Sequence, residues 1–122
     1  MSEATFVVAP VKPEIALADL EKIDIRVGTI LNIEEIAGSD KLLKLVVDFG
    51  DRKRTVLSGM KQERDNASGL IGNQALFVVN LPLRKMMGQL SEAMLFDLGY
   101  ADGILPCLAM PERPVPNGTR AG

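Results

Sequence analysis

Histidine and tryptophan are absent from this 122-residue chain, and cysteine occurs once. Without imidazole, and with a single thiol, the chain cannot build a His- or thiolate-based metal site or a Ser–His or Cys–His nucleophile pair. Cys107, in the run Ile104-Leu105-Pro106-Cys107-Leu108, cannot close an intramolecular disulfide and reads as a small packing residue. Aromatics are scarce, at four Phe and one Tyr. A track that stacks successive bases of a single strand is therefore poorly supplied. No apolar run reaches the ~18 residues that a membrane span needs. The N-terminus also lacks the basic-then-apolar pattern of an export signal, so the expectation is a cytoplasmic protein with no membrane partner.

What is present is globular: 47% hydrophobic and 25% charged residues, enough for one domain with its own core. The formal net charge of −2 conceals a gradient. Residues 1–40 hold three Lys/Arg against eight Asp/Glu, residues 41–88 nine against four, and residues 89–122 two against four. The centre of the chain thus carries +5 between acidic flanks. Carboxylates gather as Glu34-Glu35 and as Asp48 with Asp51, at turn-flanking positions where charge is ordinarily solvated. Nothing in the pattern supplies the burial that would perturb them, so neither catalysis nor a cofactor is expected.

Residues 1–18 read as a flexible or weakly extended arm, with Pro10 and Pro13 and no sustained period, and residues 19–122 as the domain. Leu20 and Ile23 suit one helical turn. A first strand spans Arg26 to Ile36, with Val27, Thr29, Leu31 and Ile33 on one face, and Gly28 marks a bulge or a sharp bend. Leu42–Phe49 and Arg54–Leu57 form a hairpin around Gly50-Asp51. Lys61–Gly72 is polar and suits a short helix or loop. Gln74–Leu81 and Ser91–Leu98 are further strands, and Gly103–Leu108 with the Val115-Pro116-Asn117-Gly118 turn closes the chain. Phe49, Phe77 and Phe96 fall in apolar strands and are assigned to the core. Five strands with a helical insertion between the third and fourth indicate an all-β OB-fold, a five-stranded Greek-key barrel with an appended C-terminal segment; a small open sandwich is the alternative.

Polar marks interrupt these strands: Ser39-Asp40-Lys41-Leu42, Ser58-Gly59-Met60, Asn80-Leu81-Pro82-Leu83-Arg84-Lys85 with Gly88, and Ser91-Glu92-Ala93-Met94. Asp40 could cap a turn and aim Lys41, whose cation suits phosphate; Lys44 follows on the next strand. Arg84 and Lys85 come after Pro82, which stiffens their loop. Ser58 and Ser91 suit either a phosphate or a nearby backbone group. Met60, Met86, Met87 and Met94 suit either core filling or a soft peptide-binding patch. The Arg52-Lys53-Arg54 turn divides evenly between solvation and contact.

Ile23-Asp24-Ile25-Arg26-Val27-Gly28-Thr29-Ile30, Asp40-Lys41-Leu42-Leu43-Lys44-Leu45 and the marks above resemble the free-standing tRNA-binding domain that also ends methionyl-tRNA synthetases. The closing Pro114-Val115-Pro116-Asn117-Gly118-Thr119-Arg120 is more similar to the CsaA-type branch, described as secretion chaperones. The resemblance spans roughly residues 19–122. It implies an OB-fold that binds tRNA through Ser39, Asp40, Lys41, Lys44, Ser58, Asn80, Arg84, Lys85, Ser91 and Met94, reading RNA shape and backbone. It also implies a homodimer, with an aminoacyl-tRNA synthetase or unfolded polypeptides as further partners. The apolar Ile104–Met110 segment is the candidate dimer edge. The chain departs from the family pattern at Asn73-Gln74, where many relatives carry lysines, and at Glu63 and Asp65, which weaken the basic field, and Ala93 occupies a place often held by Gly.

Overall fold

The computed structural model describes residues 6–122; the first five residues of the expected arm lie outside the described residues. From there the chain runs without regular structure to a one-turn helix α1 (Leu17–Leu20), then to β1 (Ile25–Glu35), β2 (Leu43–Asp48), β3 (Lys53–Ser58) and β4 (Gln74–Val78). Short strands complete it: β5 (Arg84–Met86), β6 (Gln89–Ser91), β7 (Met94–Leu95), β8 (Asp97–Leu98) and β9 (Cys107–Leu108). Five strands make one antiparallel sheet in the order β3-β2-β1-β4-β7, while β5–β6 and β8–β9 are separate hairpins. The sheet curls until β3 meets β6 and β7. A single curled sheet, rather than two stacked ones, makes the fold all-β and OB-like and sets aside the open sandwich.

The curl begins in β1, which serves two neighbours in succession: Ile25–Thr29 pair with β4 and Thr29–Glu35 with β2. A strand shared in this way must bend, and the register shifts between Ile30 and Asn32. The bulge therefore lies at Leu31 and not at Gly28. It also breaks the expected alternation, because Ile30 is fully buried whereas Leu31 is 39% exposed. Gly28 is required for a different reason. A Cβ there would stand 2.5 Å from Val47 Cγ1 and 2.9 Å from the Phe49 ring, so the missing side chain lets β1 close onto β2.

Strand β2 alternates cleanly, with Leu43, Leu45 and Val47 buried and Lys44, Val46 and Asp48 on the outer face. The buried set packs with Ile30, Val56, Met60 and Phe77. Phe49 and Phe77 meet edge to face, 5.3 Å between centroids at 84°, a favourable aromatic geometry. Met60 is core, in keeping with the filling role. Phe96 is 42% exposed and not core, because the strand expected over Ser91–Leu98 breaks into pieces of β6, β7 and β8. Within eight residues the chain changes partner from β5 to β4 to β9, so no constant inward face persists.

The polar insertion forms two 3-10 turns, Lys61–Glu63 and Ala67–Leu70, the second capped by Asn66 Oδ1 accepting the Ser68 N–H at 3.1 Å. The C-terminal segment lies along the stretch of β1 that β2 leaves free. Val27 N–H donates to Thr119 O and Ala121 N–H to Ile25 O, each at 2.9 Å, while Gln74 Nε2 donates to Val115 O at 2.6 Å and Asn117 Oδ1 at 3.0 Å. Leu108 packs inside with 8% exposure. It therefore belongs to the core and not to the exposed edge expected of Ile104–Met110.

Candidate nucleic-acid interface

The β1–β2 loop presents the first cluster. Ser39 Oγ accepts the Leu42 N–H at 2.9 Å and, more weakly, the Lys41 N–H at 3.4 Å. Ser39, not Asp40, thus holds the turn. Lys61 braces it from below: its N–H donates to Lys41 O at 3.0 Å, its Nζ to Ser39 O at 3.4 Å, and it pairs with Glu35 at 3.0 Å. Asp40 and Lys41 are left on the exposed surface.

Arg84 and Lys85 sit on strand β5, where the sequence suggested a loop from Pro82 to Gly88. Met86 pairs with Gln89, leaving a two-residue turn of Met87 (φ 51°) and Gly88 (φ 77°). Two left-handed residues are what a tight hairpin matching the strand twist requires. As strand neighbours, Arg84 and Lys85 leave on opposite faces of the hairpin, and both are exposed. The hairpin rests on β3. Ser91 Oγ accepts the Leu57 N–H at 3.0 Å and donates to Ala93 O at 2.9 Å, and the Thr55 N–H donates to Glu92 Oε1 at 2.9 Å. At its tip the hairpin approaches the β1–β2 loop, since a Cβ built on Gly38 would stand 3.6 Å from Met87 Cε.

Between the hairpin and the outer face of β2–β3 runs a groove of about 420 Å³ lined by Lys44, Thr55, Leu83, Gln89, Leu90 and Glu92. Lys44 lines this groove, Ser39, Asp40 and Lys41 stand on the loop that the hairpin tip approaches, and Arg84 and Lys85 leave the hairpin on opposite faces. Among the described residues, Lys41, Arg84 and Lys85 form no ion pair, whereas Lys44 lies 3.9 Å from Glu34, Arg52 3.3 Å from Glu92 and Arg64 3.4 Å from Glu63. Unpaired exposed cations can meet a phosphate without first breaking a bond.

The remaining candidates have other engagements. Ser91 is buried and both hydrogen-bonding directions of its hydroxyl are used inside the protein, so it fastens the hairpin and has no access to a ligand. Asn80 Oδ1 accepts the Asp24 N–H at 2.9 Å, and its Nδ2 donates to Lys22 O at 2.7 Å. Its amide ties the end of β4 to the approach to β1. Ser58 is half-buried at the end of β3 opposite Leu43, and Met94 is 46% exposed on β7 opposite Val78. The Arg52-Lys53-Arg54 run divides. Arg54 Nη1 donates to Val79 O at 3.0 Å and Glu92 O at 3.2 Å, and the guanidinium lies 5.7 Å from the Phe49 centroid. It is a structural cation. Arg52 is paired, and Lys53 alone extends freely.

Sequence reasoning passed over Thr55, Leu83, Gln89, Leu90 and Glu92 as groove residues. Only the packing of the hairpin against β3 brings them together, although Leu83 and Glu92 lay inside marked blocks. Elsewhere, two carboxyls are displaced from their usual range. Arg26 grips Asp24 through Nε–Oδ1 at 2.6 Å and Nη2–Oδ2 at 3.0 Å, which holds the Asp24 carboxyl low. Burial pushes Glu63 up despite its Arg64 partner.

Residues 25–120 match the tRNA binding domain family. The chain belongs to that family. It is 38% identical over 117 residues to the methionine–tRNA ligase of Bacteroides fragilis and 41% over 118 residues to that of Clostridium acetobutylicum, in each case across 96% of this chain. It spans only 17% and 18% of those ligases. Among solved structures, a MetRS-related protein from Pyrococcus horikoshii superposes with a TM-score of 0.83 at 32% identity, covering 91% of this chain and all of that one. The chaperone CsaA from Bacillus anthracis superposes with a TM-score of 0.77 at 28% identity, covering 90% of this chain and all of that one. In this tRNA-binding domain Lys44 lines the groove beside the β5–β6 hairpin, and Lys41, Arg84 and Lys85 stand on the flanking loop and on the hairpin.

Proposed function

We propose that this protein binds tRNA through RNA shape and backbone, without a catalytic step of its own, and acts as a homodimer. The observation that carries the reading is the set of exposed cations with no ion pair among the described residues, Lys41, Arg84 and Lys85, on the neighbouring β1–β2 loop and β5–β6 hairpin of a tRNA-binding domain. Phosphate contact needs placed cations and no aromatic track. The dimer reading draws on the apolar side chains left on and beside the β8–β9 hairpin, with Leu98 52%, Tyr100 74% and Leu105 70% exposed. Pairing would also double the modest number of cations offered to one RNA.

Titration with total tRNA at a series of salt concentrations tests the reading. With about four phosphates neutralised per protomer, log K falls with a slope of roughly −3 to −4 against log salt. A flat dependence removes phosphate contact as its basis. A second reading, a chaperone for unfolded polypeptides, is favoured by the exposed Leu83, Met87 and Leu90 beside these cations and by the likeness to CsaA. Competition between tRNA and an unfolded peptide separates the two.

A further inference from the structure

We propose that the groove beside the β5–β6 hairpin takes a single unstacked nucleobase with donors on its pairing edge, guanine above the others, with Glu92 and Gln89 as the readers. The inference rests on the RNA-binding reading and goes beyond backbone contact. The groove's chemistry does not suit phosphate alone, because its wall includes a carboxylate that repels a second anion. Glu92 Oε1 accepts the Thr55 N–H at 2.9 Å and Oε2 the Arg52 guanidinium at 3.3 Å. These bonds fix the carboxylate in place, and each oxygen retains capacity for a further donor. Guanine offers two adjacent donors, N1–H and N2–H, which match a carboxylate, whereas uracil offers one N–H between two acceptors.

The rest of the lining fits the same occupant. Leu83 and Leu90 remain 61% and 51% exposed and offer apolar surface to a base face where no ring is available. Gln89 carries both a donor and an acceptor for the base edge. Lys44, 3.9 Å from Glu34, is loosely enough held to turn to the nucleotide's own phosphate. The groove is shallow and open to solvent, with about 420 Å³ of space beside the hairpin, so a base lying in it keeps one side in water. Gln89 stands on β6, and Glu92, one residue past its end, is held to β3 through the Thr55 N–H.

The test uses stem-loop RNAs of one length carrying a single unpaired G, A, C or U, titrated against the full chain at fixed salt. The expected result is about tenfold tighter binding of the G-containing RNA than of the U-containing RNA, the scale of one bidentate base contact. Glu92→Gln and Gln89→Ala each bring the ratio of G-RNA to U-RNA affinity to about one, whatever shift in absolute affinity the lost charge or contact causes for all four RNAs alike. Gln89→Ala keeps the test decisive should Glu92→Gln disturb the hairpin. Equal affinity for all four RNAs, with normal salt dependence, overturns the base-reading groove and leaves backbone binding standing. Failure of every stem-loop to bind overturns the RNA reading itself. Displacement of the RNA by an unfolded peptide that shifts the Leu83 and Leu90 methyl resonances assigns the groove to polypeptide and overturns the proposal.

Discussion

Ser91 Oγ accepts the Leu57 backbone N–H at 3.0 Å, and this bond fastens the cation-bearing hairpin to the barrel. Leu57 is buried, so its N–H has no water to turn to. Removing the hydroxyl leaves an unsatisfied buried donor, which costs about 1–3 kcal/mol. Ser91→Ala is expected to lower stability by that amount in urea unfolding. Ser58→Ala, at the half-buried end of β3, changes little. Equal effects at the two serines would show that hairpin docking does not depend on this bond.

How far the sequence discloses the fold depends on whether a strand keeps one partner. β2 does, and its alternation from Leu43 to Val47 is legible residue by residue. β1 does not: the exchange of β4 for β2 at Thr29 inserts the bulge at Leu31 and moves the buried face to Ile30. The segment from Ser91 to Leu98 changes partner twice, and its apparent single strand dissolves. The site follows the same logic. Lys41 and Arg84-Lys85 are visible as charged interruptions, but that Ser91 turns inward, or that Gln89 and Glu92 share a groove with Lys44, follows only from the docking of two strands far apart in sequence.

The two cations of the hairpin carry the RNA reading most directly. Arg84 and Lys85 are exposed and form no ion pair among the described residues, so replacing both with Ala is expected to weaken tRNA binding by roughly 1–3 kcal/mol. Thermal stability should stay nearly constant, since exposed charges contribute little to folding. Arg52 is already engaged with Glu92, so Arg52→Ala with Lys53→Ala costs less affinity. A larger loss from the Arg52/Lys53 pair in filter binding would move the interface to the β2–β3 turn.

Asp24 sets an acid-side dependence. Its hydrogen bonds from Arg26 lower its pKa in the folded protein, so folding is favoured by the ionised form. That contribution is complete above the ordinary carboxylate range and is lost as pH falls through the lowered folded value. Asp24→Asn should therefore melt below wild type at neutral pH, with the gap closing as the pH drops beneath the ordinary range. A gap that is constant with pH would assign the effect to the packing of the substituted side chain and not to ionisation of the carboxylate.

Gly28 offers a test of the barrel's closure. A Cβ at this position stands 2.5 Å from Val47 Cγ1 and 2.9 Å from Phe49, and neither a branched side chain nor a packed ring can give way cheaply. Gly28→Ala is expected to cost about 1–3 kcal/mol of stability through overpacking, measured by chemical unfolding. A neutral outcome would mean that β1 and β2 can separate without loss.

The dimer can be probed without confusing interface with core. Leu108 is 8% exposed and packs in the core, whereas Leu105 is 70% exposed, three residues before it. A buried charge without a partner unfolds a small domain, so Leu108→Lys should lose cooperative melting whatever the oligomeric state. Leu105→Lys places the same charge in water, where folding is indifferent to it, and only an interface would register the change. Wild type is expected to sediment at about twice the 13.2 kDa chain mass at micromolar concentration, and Leu105→Lys to shift toward a folded monomer with an unchanged melting temperature. A wild-type protein that stays monomeric at tens of micromolar removes the homodimer. A Leu105→Lys variant that remains dimeric moves the interface off this face.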